Sequence, residues 1–167
     1  MYDKAIETPP EGKAEQYVLS IDYGTLNAFA ALLWGKYEDV WYAIDGYYYS
    51  GRDTGQQLTD EEYGQEIDKR FGELSNEWNK LRVIVDPSAA SFITLLKKKR
   101  CYRVIPADNA VIDGIRETAT AIQTGKIKVS PKLKEWQREV EGYVWDDNPV
   151  EDRPIKVNDH YMDSTRY

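Results

Sequence analysis

The stretch "LRVIVDPSAASFITLLKKKRCYRVIPA", residues 81–107, decides the fold. "LRVIV" is a continuous apolar run of strand length, the pattern of a strand buried on both faces in a parallel sheet. "AASFITLLKKK" has helical spacing, and "YRVIPA" is a second apolar strand. Strand, helix and strand within so few residues make a crossover unit, because parallel strands need a connection that returns over the sheet.

Working outward, the order of elements extends this unit to a mixed sheet. "YVLSID" (17–22), "AFAALLW" (28–34) and "VWYAIDGYYY" (40–49) are strand-like runs with short joins, which predicts an antiparallel meander. "TDEEYGQEIDKRFGELSNEWNK" (59–80) is expected to be helical, capped by Thr59 or Asp60, with Tyr63, Ile67, Phe71, Leu74 and Trp78 on one face. Downstream, "NAVIDGIRETATAIQTG" reads as a helix ending at Gly125, "KIKVS" as a short extended piece, and "PKLKEWQREVEGYVW" as a helix starting at Pro131. "DDNPVEDRPIKV" reads as loop before a final helix. The expected fold is α/β: a mixed sheet of five or more strands with helices on both faces. Residues 1–16, polar and carrying a Pro-Pro pair, read as a linker or tail, and 17–167 as one domain.

Composition narrows the class. At 167 residues, with 41% hydrophobic and 13% aromatic residues, the chain can bury a sizeable core. One cysteine, Cys101, excludes a disulfide framework and a cysteine-rich zinc site. No apolar run is long enough to span a bilayer and no signal-peptide pattern opens the chain, so an intracellular protein without a membrane partner is expected. The net charge is −7, but residues 97–138 carry 11 of the 22 basic and only 4 of the 29 acidic side chains. Lys97, Lys98, Lys99, Arg100, Lys126 and Lys128 belong to that basic segment. A solvated surface is one reading, and a flank that meets phosphodiesters is the other.

Two strands end in aspartate: "YVLSIDYG" at Asp22 and "LRVIVDPS" at Asp86. Ligands of open sheets gather at the carboxyl ends of parallel strands, so the two acids converge if their strands are neighbours. Each also has a structural reading, since Asp-Pro and Asp-Tyr-Gly are ordinary turn sequences. A third group closes the chain in "NDHYMDSTRY". On a helix, Asp159 and Asp163 (i,i+4) and the single histidine, His160, with Asp163 (i,i+3) share one face, although Asn158 or Asp159 is also a good N-cap. Carboxylates gathered from separate elements repel unless cations neutralise them, and oxygen-only clusters select hard ions such as Mg²⁺ or Mn²⁺. Asp45, Asp108 and Asp113 are expected to serve turns and caps, "GYYYSGRDTGQQ" to be a half-buried strand or a mobile aromatic hairpin, and Cys101 to be a small apolar residue.

"IDYG", "VDPSAASFI", "PADNAVIDGIR" and "NDHYMDSTRY", in this order and spacing, resemble the nuclease domain of phage terminase large subunits. The resemblance runs from Tyr17 to Tyr167 and is most specific in "DPSAASF" and "NDHYMDSTRY". It implies a ribonuclease H-like fold and an endonuclease that cuts concatemeric double-stranded viral DNA during packaging, using two divalent ions, Mg²⁺ or Mn²⁺. By position, Asp22, Asp86 and Asp163 match the family's metal-binding acids. His160 matches a histidine that places water or phosphate or assists proton transfer, and Asp159 matches a preceding acid of less defined role. The implied partners are DNA, an ATPase domain upstream in the same polypeptide, the small terminase subunit and the portal, in the cytoplasm of an infected bacterium. No G-x-x-x-x-G-K-S/T motif occurs, so the motor is expected in another part of a longer protein.

Three rival readings follow from the same residues. "IDYGT" also looks like the first phosphate loop of actin-like ATPases, whose other signatures are not visible. A resolvase- or transposase-like nuclease would keep the fold and change the substrate. A docking module of a packaging motor would keep the fold without catalysis.

Overall fold

The computed structural model describes residues 6–23, 28–75, 80–107, 120–122, 124–134 and 136, with the backbone alone at 52–53, 144–145 and 154–155. The elements are β1 (Gln16–Tyr23), β2 (Ala28–Tyr37), β3 (Val40–Ser50), α1 (Gly51–Thr54), α2 (Asp60–Phe71), β4 (Leu81–Val85), α3 (Ala90–Lys98), β5 (Tyr102–Pro106), β6 (Ile127–Val129), β7 (Val144–Trp145) and β8 (Pro154–Ile155). Six strands form one mixed sheet in the order β5-β4-β1-β2-β3-β6. β1 pairs antiparallel with β2, and β2 with β3. β4 is parallel to both β1 and β5, and β6 is parallel to β3.

The meander is set by a two-residue hairpin. Tyr37 pairs with Val40, and Glu38 and Asp39 between them both have positive φ (48° and 66°). That is the turn whose twist matches two antiparallel strands. Further along, Leu33 faces Asp45 while Trp34 faces Ala43, so Ile44 is an extra residue at a bulge. Asp45 therefore lies inside β3 and not in a turn as expected; it accepts from the Gly46 N–H and pairs with Lys132 at 3.5 Å.

Alternation divides the strands between two cores. On one face Leu19, Ile21, Phe29, Ala31, Leu33, Leu81, Val83, Val85 and Tyr102 meet Tyr63, Ile67 and Phe71 of α2 and Phe92 and Leu96 of α3. Burying each of these large side chains contributes about 1.5–3 kcal/mol before chain entropy is counted. On the other face Ala30, Leu32, Trp34, Ala43 and Val129 meet Leu133 and the fully buried, helical Trp136.

α2 starts as expected, with the Thr59 hydroxyl accepting from the Glu62 N–H, but it stops at Phe71. A 3-10 turn, Gly72–Leu74, leads to an extended Ser75. The Ser75 hydroxyl donates to the Cys101 carbonyl and accepts from the Leu81 N–H, which ties the loop to two strands and ends the helical run. Trp78 lies outside the described residues. Pro131 opens a turn, with helical residues only from Lys134, and the expected helix end at Val144–Trp145 is a short strand paired with Pro154–Ile155. Asp108 and Asp113 are also outside the described residues. The segment read as a tail reaches the sheet: Ile6 forms a parallel bridge with Val129, and the Glu7 N–H donates to the Val129 carbonyl at 3.0 Å.

Candidate active site

Asp22 and Asp86 are brought together by strand register. Ile21 pairs with Val85 in the parallel β1–β4 ladder, so the two acids are the next residues on neighbouring strands. Neighbouring strands lie about 4.8 Å apart, which sets the backbone separation at the acids. Ile21 and Val85 point into the core beneath α2 and α3, so alternation directs Asp22 and Asp86 to the opposite face. Both stand at the carboxyl edge of the sheet.

The surroundings of each acid are built from local sequence. Asp22 is 9% exposed, held at the end of a strand whose centre is fully buried. Two residues earlier on the same face, Ser20 is buried and its hydroxyl accepts from the Trp34 indole N–H at 3.0 Å. Asp86 follows β4 directly, where Pro87 stops the ladder. Its Oδ1 accepts from the Ser88 N–H at 2.9 Å, and its carbonyl accepts from the Ala89 N–H at 3.0 Å. This aspartate turn fixes the carboxylate at the mouth of α3, so the turn reading of Asp86 holds and is compatible with a position beside Asp22 at the sheet edge.

Tyr23, which follows Asp22, anchors the strand end from the other face. Its ring lies among Phe29, Tyr63 and Phe92, with the Phe92 centroid 5.0 Å away. Its hydroxyl donates to Asp60 in the first turn of α2. Burial, reinforced by the Asp60 carboxylate, pushes the Tyr23 hydroxyl well above the ordinary tyrosine value. Phe92 belongs to the helix that follows Asp86, so one tyrosine joins both acid-bearing segments. The sequence shows Tyr23 but not its partners, which come from α2 and α3.

The basic residues stand elsewhere. α3 leads from Asp86 back to the start of β5, so Lys97, Lys98, Lys99 and Arg100 lie at the sheet end opposite the two acids. Lys99 pairs with Asp68 at 2.7 Å. Lys126 precedes β6 and Lys128 lies within it, paired with Trp41 and Tyr42 at the start of β3, again at the far end. Lys128 pairs with Glu7 at 3.1 Å, and Tyr42 donates to the same carboxylate at 2.8 Å. The Tyr42 hydrogen bond, followed by Lys128, holds the Glu7 carboxyl below its ordinary value.

Tyr47 and Tyr49 pack against the main core and Tyr48 against the second, so "GYYY" is a half-buried strand. Cys101 likewise packs on the main core. Asp159, His160 and Asp163 lie outside the described residues. Among the described residues no group of three potential metal ligands occurs, and no helix is long and apolar enough to cross a membrane. The donor chemistry of the described pair, two carboxylates at one rigid edge, fits a hard divalent cation.

Solved structures share this fold. The chain is 43% identical to the large terminase of a thermophilic bacteriophage solved with ADP, with a TM-score of 0.91, covering 99% of this chain and 42% of that one. Two isolated domains share the fold. The P22 large terminase nuclease domain superposes with a TM-score of 0.76 at 17% identity, over 99% of this chain and 86% of that one. The large terminase nuclease domain of bacteriophage SPP1, solved with bound Mn, gives 0.67 at 17%, over 97% and 93%. The chain shares its sequence with part of a large terminase and its fold with large-terminase nuclease domains. Its six-stranded mixed sheet is ribonuclease H-like. It spans less than half the length of the ADP-bound terminase. No family model matches the chain, and no curated protein matches its sequence.

Proposed function

We propose that this terminase nuclease domain is a metal-dependent endonuclease that cuts concatemeric double-stranded viral DNA during genome packaging. The observation that carries the reading is the matched register of β1 and β4, which sets Asp22 beside Asp86 on a rigid edge. The likeness to a large terminase and the Mn-bound SPP1 domain support the same conclusion.

In this reading Asp22, Asp86 and Asp163 hold two divalent ions, Mg²⁺ or Mn²⁺. When bound, such ions supply an activated water and a counter-charge for the phosphate oxygens. The protein's own part is placement. Asp22 is fixed by a buried strand and by Tyr23, and Asp86 by its turn, so neither carboxylate must be ordered when substrate arrives. His160, three residues before Asp163 in the sequence, holds a water or phosphate oxygen or moves a proton, and Asp159 serves as a supporting acid beside the metal ligands. The wider assembly in this proposal includes an ATPase domain in the same polypeptide, the small terminase subunit and the portal, in the host cytoplasm.

The deciding experiment is nicking of supercoiled plasmid with Mn²⁺ or Mg²⁺, comparing the chain with Asp86→Ala. Metal-dependent cutting that the variant loses is the expected result. Equal cutting by both proteins refutes the assignment.

A further inference from the structure

Arg82 and Arg103 are partners in the parallel β4–β5 register. Their neighbours Leu81, Val83 and Val85 on β4, and Tyr102 and Val104 on β5, pack beneath α2 and α3. Alternation therefore puts Arg82 and Arg103 side by side on the opposite face, the face of Asp22 and Asp86. Both arginines are exposed. The ion pairs among the described residues leave both guanidinium groups without a carboxylate.

Like charges at paired positions on adjacent strands destabilise a sheet. A fold selected only for stability would gain from an acid at either position. Arg82 also walls a cleft of about 630 Å³ with Lys13 and Lys80, where Glu15 and Glu73 are the acids. The Glu15 carboxylate accepts from the Glu38 N–H at 3.3 Å. Lys99 and Lys128, in contrast, already have the carboxylates of Asp68 and Glu7 as partners.

We propose that Arg82 and Arg103 form a phosphate-binding step for the backbone of the same duplex whose scissile phosphate lies at Asp22 and Asp86. The proposal rests on the nuclease reading for its ligand. From Arg82 to Asp86 is four residues along one strand, roughly 13 Å at ~3.3 Å per residue. Phosphates of one DNA strand advance about 3.4 Å per step along the axis, so a duplex lying along β4 would meet the arginines roughly four base pairs from the cut. Arginine suits the task because its planar donors match phosphate oxygens in pairs. Ile84 and Ile105, half-buried partners between the arginines and the acids, keep that stretch of the face free of competing charge.

The test is binding of a short duplex of unrelated sequence by fluorescence anisotropy, without divalent metal, across a salt series. Arg82→Gln/Arg103→Gln is expected to weaken binding at low salt. It should also lower the slope of log affinity on log salt by about 2, roughly 0.9 per phosphate lost. Arg103→Glu separates binding from folding. It is expected to raise the thermal midpoint by pairing with Arg82 while weakening duplex binding. Wild-type affinity and slope in the double variant overturn the proposal, as does loss of both stability and binding in Arg103→Glu. Preference of the wild-type arginine pair for an acidic peptide over the duplex also overturns it. Absence of metal-dependent nicking by the wild-type chain would remove the nuclease assignment, whereas arginine-dependent duplex binding would still be read directly.

Discussion

Asp22 and Asp86 end two neighbouring parallel strands one residue beyond the Ile21–Val85 pair, and both face away from α2 and α3. Their proximity is a property of the sheet and not of a mobile loop. Two carboxylates held this close favour any divalent cation that can sit between them.

The first prediction concerns metal and stability together. Mn²⁺ is expected to raise the unfolding midpoint of the chain, by an amount equivalent to about 2.7 kcal/mol at a hundredfold excess over Kd. Asp22→Asn and Asp86→Asn should each lose most of that increase while unfolding cooperatively without metal. Calorimetry with and without Mn²⁺ reads both quantities. An undiminished shift in both variants would place the ions elsewhere.

Much of this framework is legible in the sequence because its signals are local. "LRVIV" reads as a parallel strand from its apolar run, although only the face of Leu81, Val83 and Val85 is fully buried while Arg82 is exposed and Ile84 half-buried, and the meander reads from three apolar runs. The pairing of β1 with β4 is not legible, because register is fixed by the folded sheet. The same holds for Arg82 beside Arg103, and for β6, whose three residues only acquire a strand partner in Trp41–Ala43. The end of α2 at Phe71 was hidden for a related reason: Ser75 acts through Cys101 and Leu81, which arrive from other parts of the chain. For the closing motif, "NDHYMDSTRY", spacing gave a shared helical face and the resemblance gave roles. Its Asp159, His160 and Asp163 fall outside the described residues.

Asp68 locks three elements, and its removal is expected to cost stability. It accepts from the Tyr102 hydroxyl of β5 and pairs with Lys99 at the end of α3. Burial, then the Asp68 carboxylate, pushes the Tyr102 hydroxyl far above its ordinary value. Asp68→Ala should destabilise by about 1–2 kcal/mol, mostly by leaving that buried hydroxyl without its acceptor. The ion pair adds little, since the Asp68 side chain is 40% exposed and solvent screens it. Asp68→Asn, which retains an acceptor, should recover most of the loss in urea unfolding.

Gly125 stops a helical segment with φ of +75°, and the space around its missing Cβ is open. Any cost of substitution there is therefore backbone strain and not a clash. Gly125→Ala is expected to destabilise by about 1–2 kcal/mol, and Gly125→Asn by less, because asparagine tolerates the left-handed region. Equal losses for the two variants would point to packing instead.

The last prediction is an alkaline limit. Burial pushes the Tyr42 hydroxyl up to about 12 from the ordinary tyrosine value of 10.0, with the Glu7 carboxylate adding to the shift. Burial likewise pushes Tyr63 up to about 12. A hydroxyl whose folded value is raised binds its proton more tightly in the folded state. Its stabilising contribution is complete below pH 10 and is lost as pH rises from there through about 12. Unfolding midpoints should hold steady on the approach to pH 10 and then fall steeply within that window. Tyr42→Phe removes one of the ionising groups, so its fall should be shallower than wild type, even though it also loses the Glu7 hydrogen bond and starts from a lower midpoint. Parallel decline of the two proteins would show that Tyr42 ionises equally in the folded and unfolded chain.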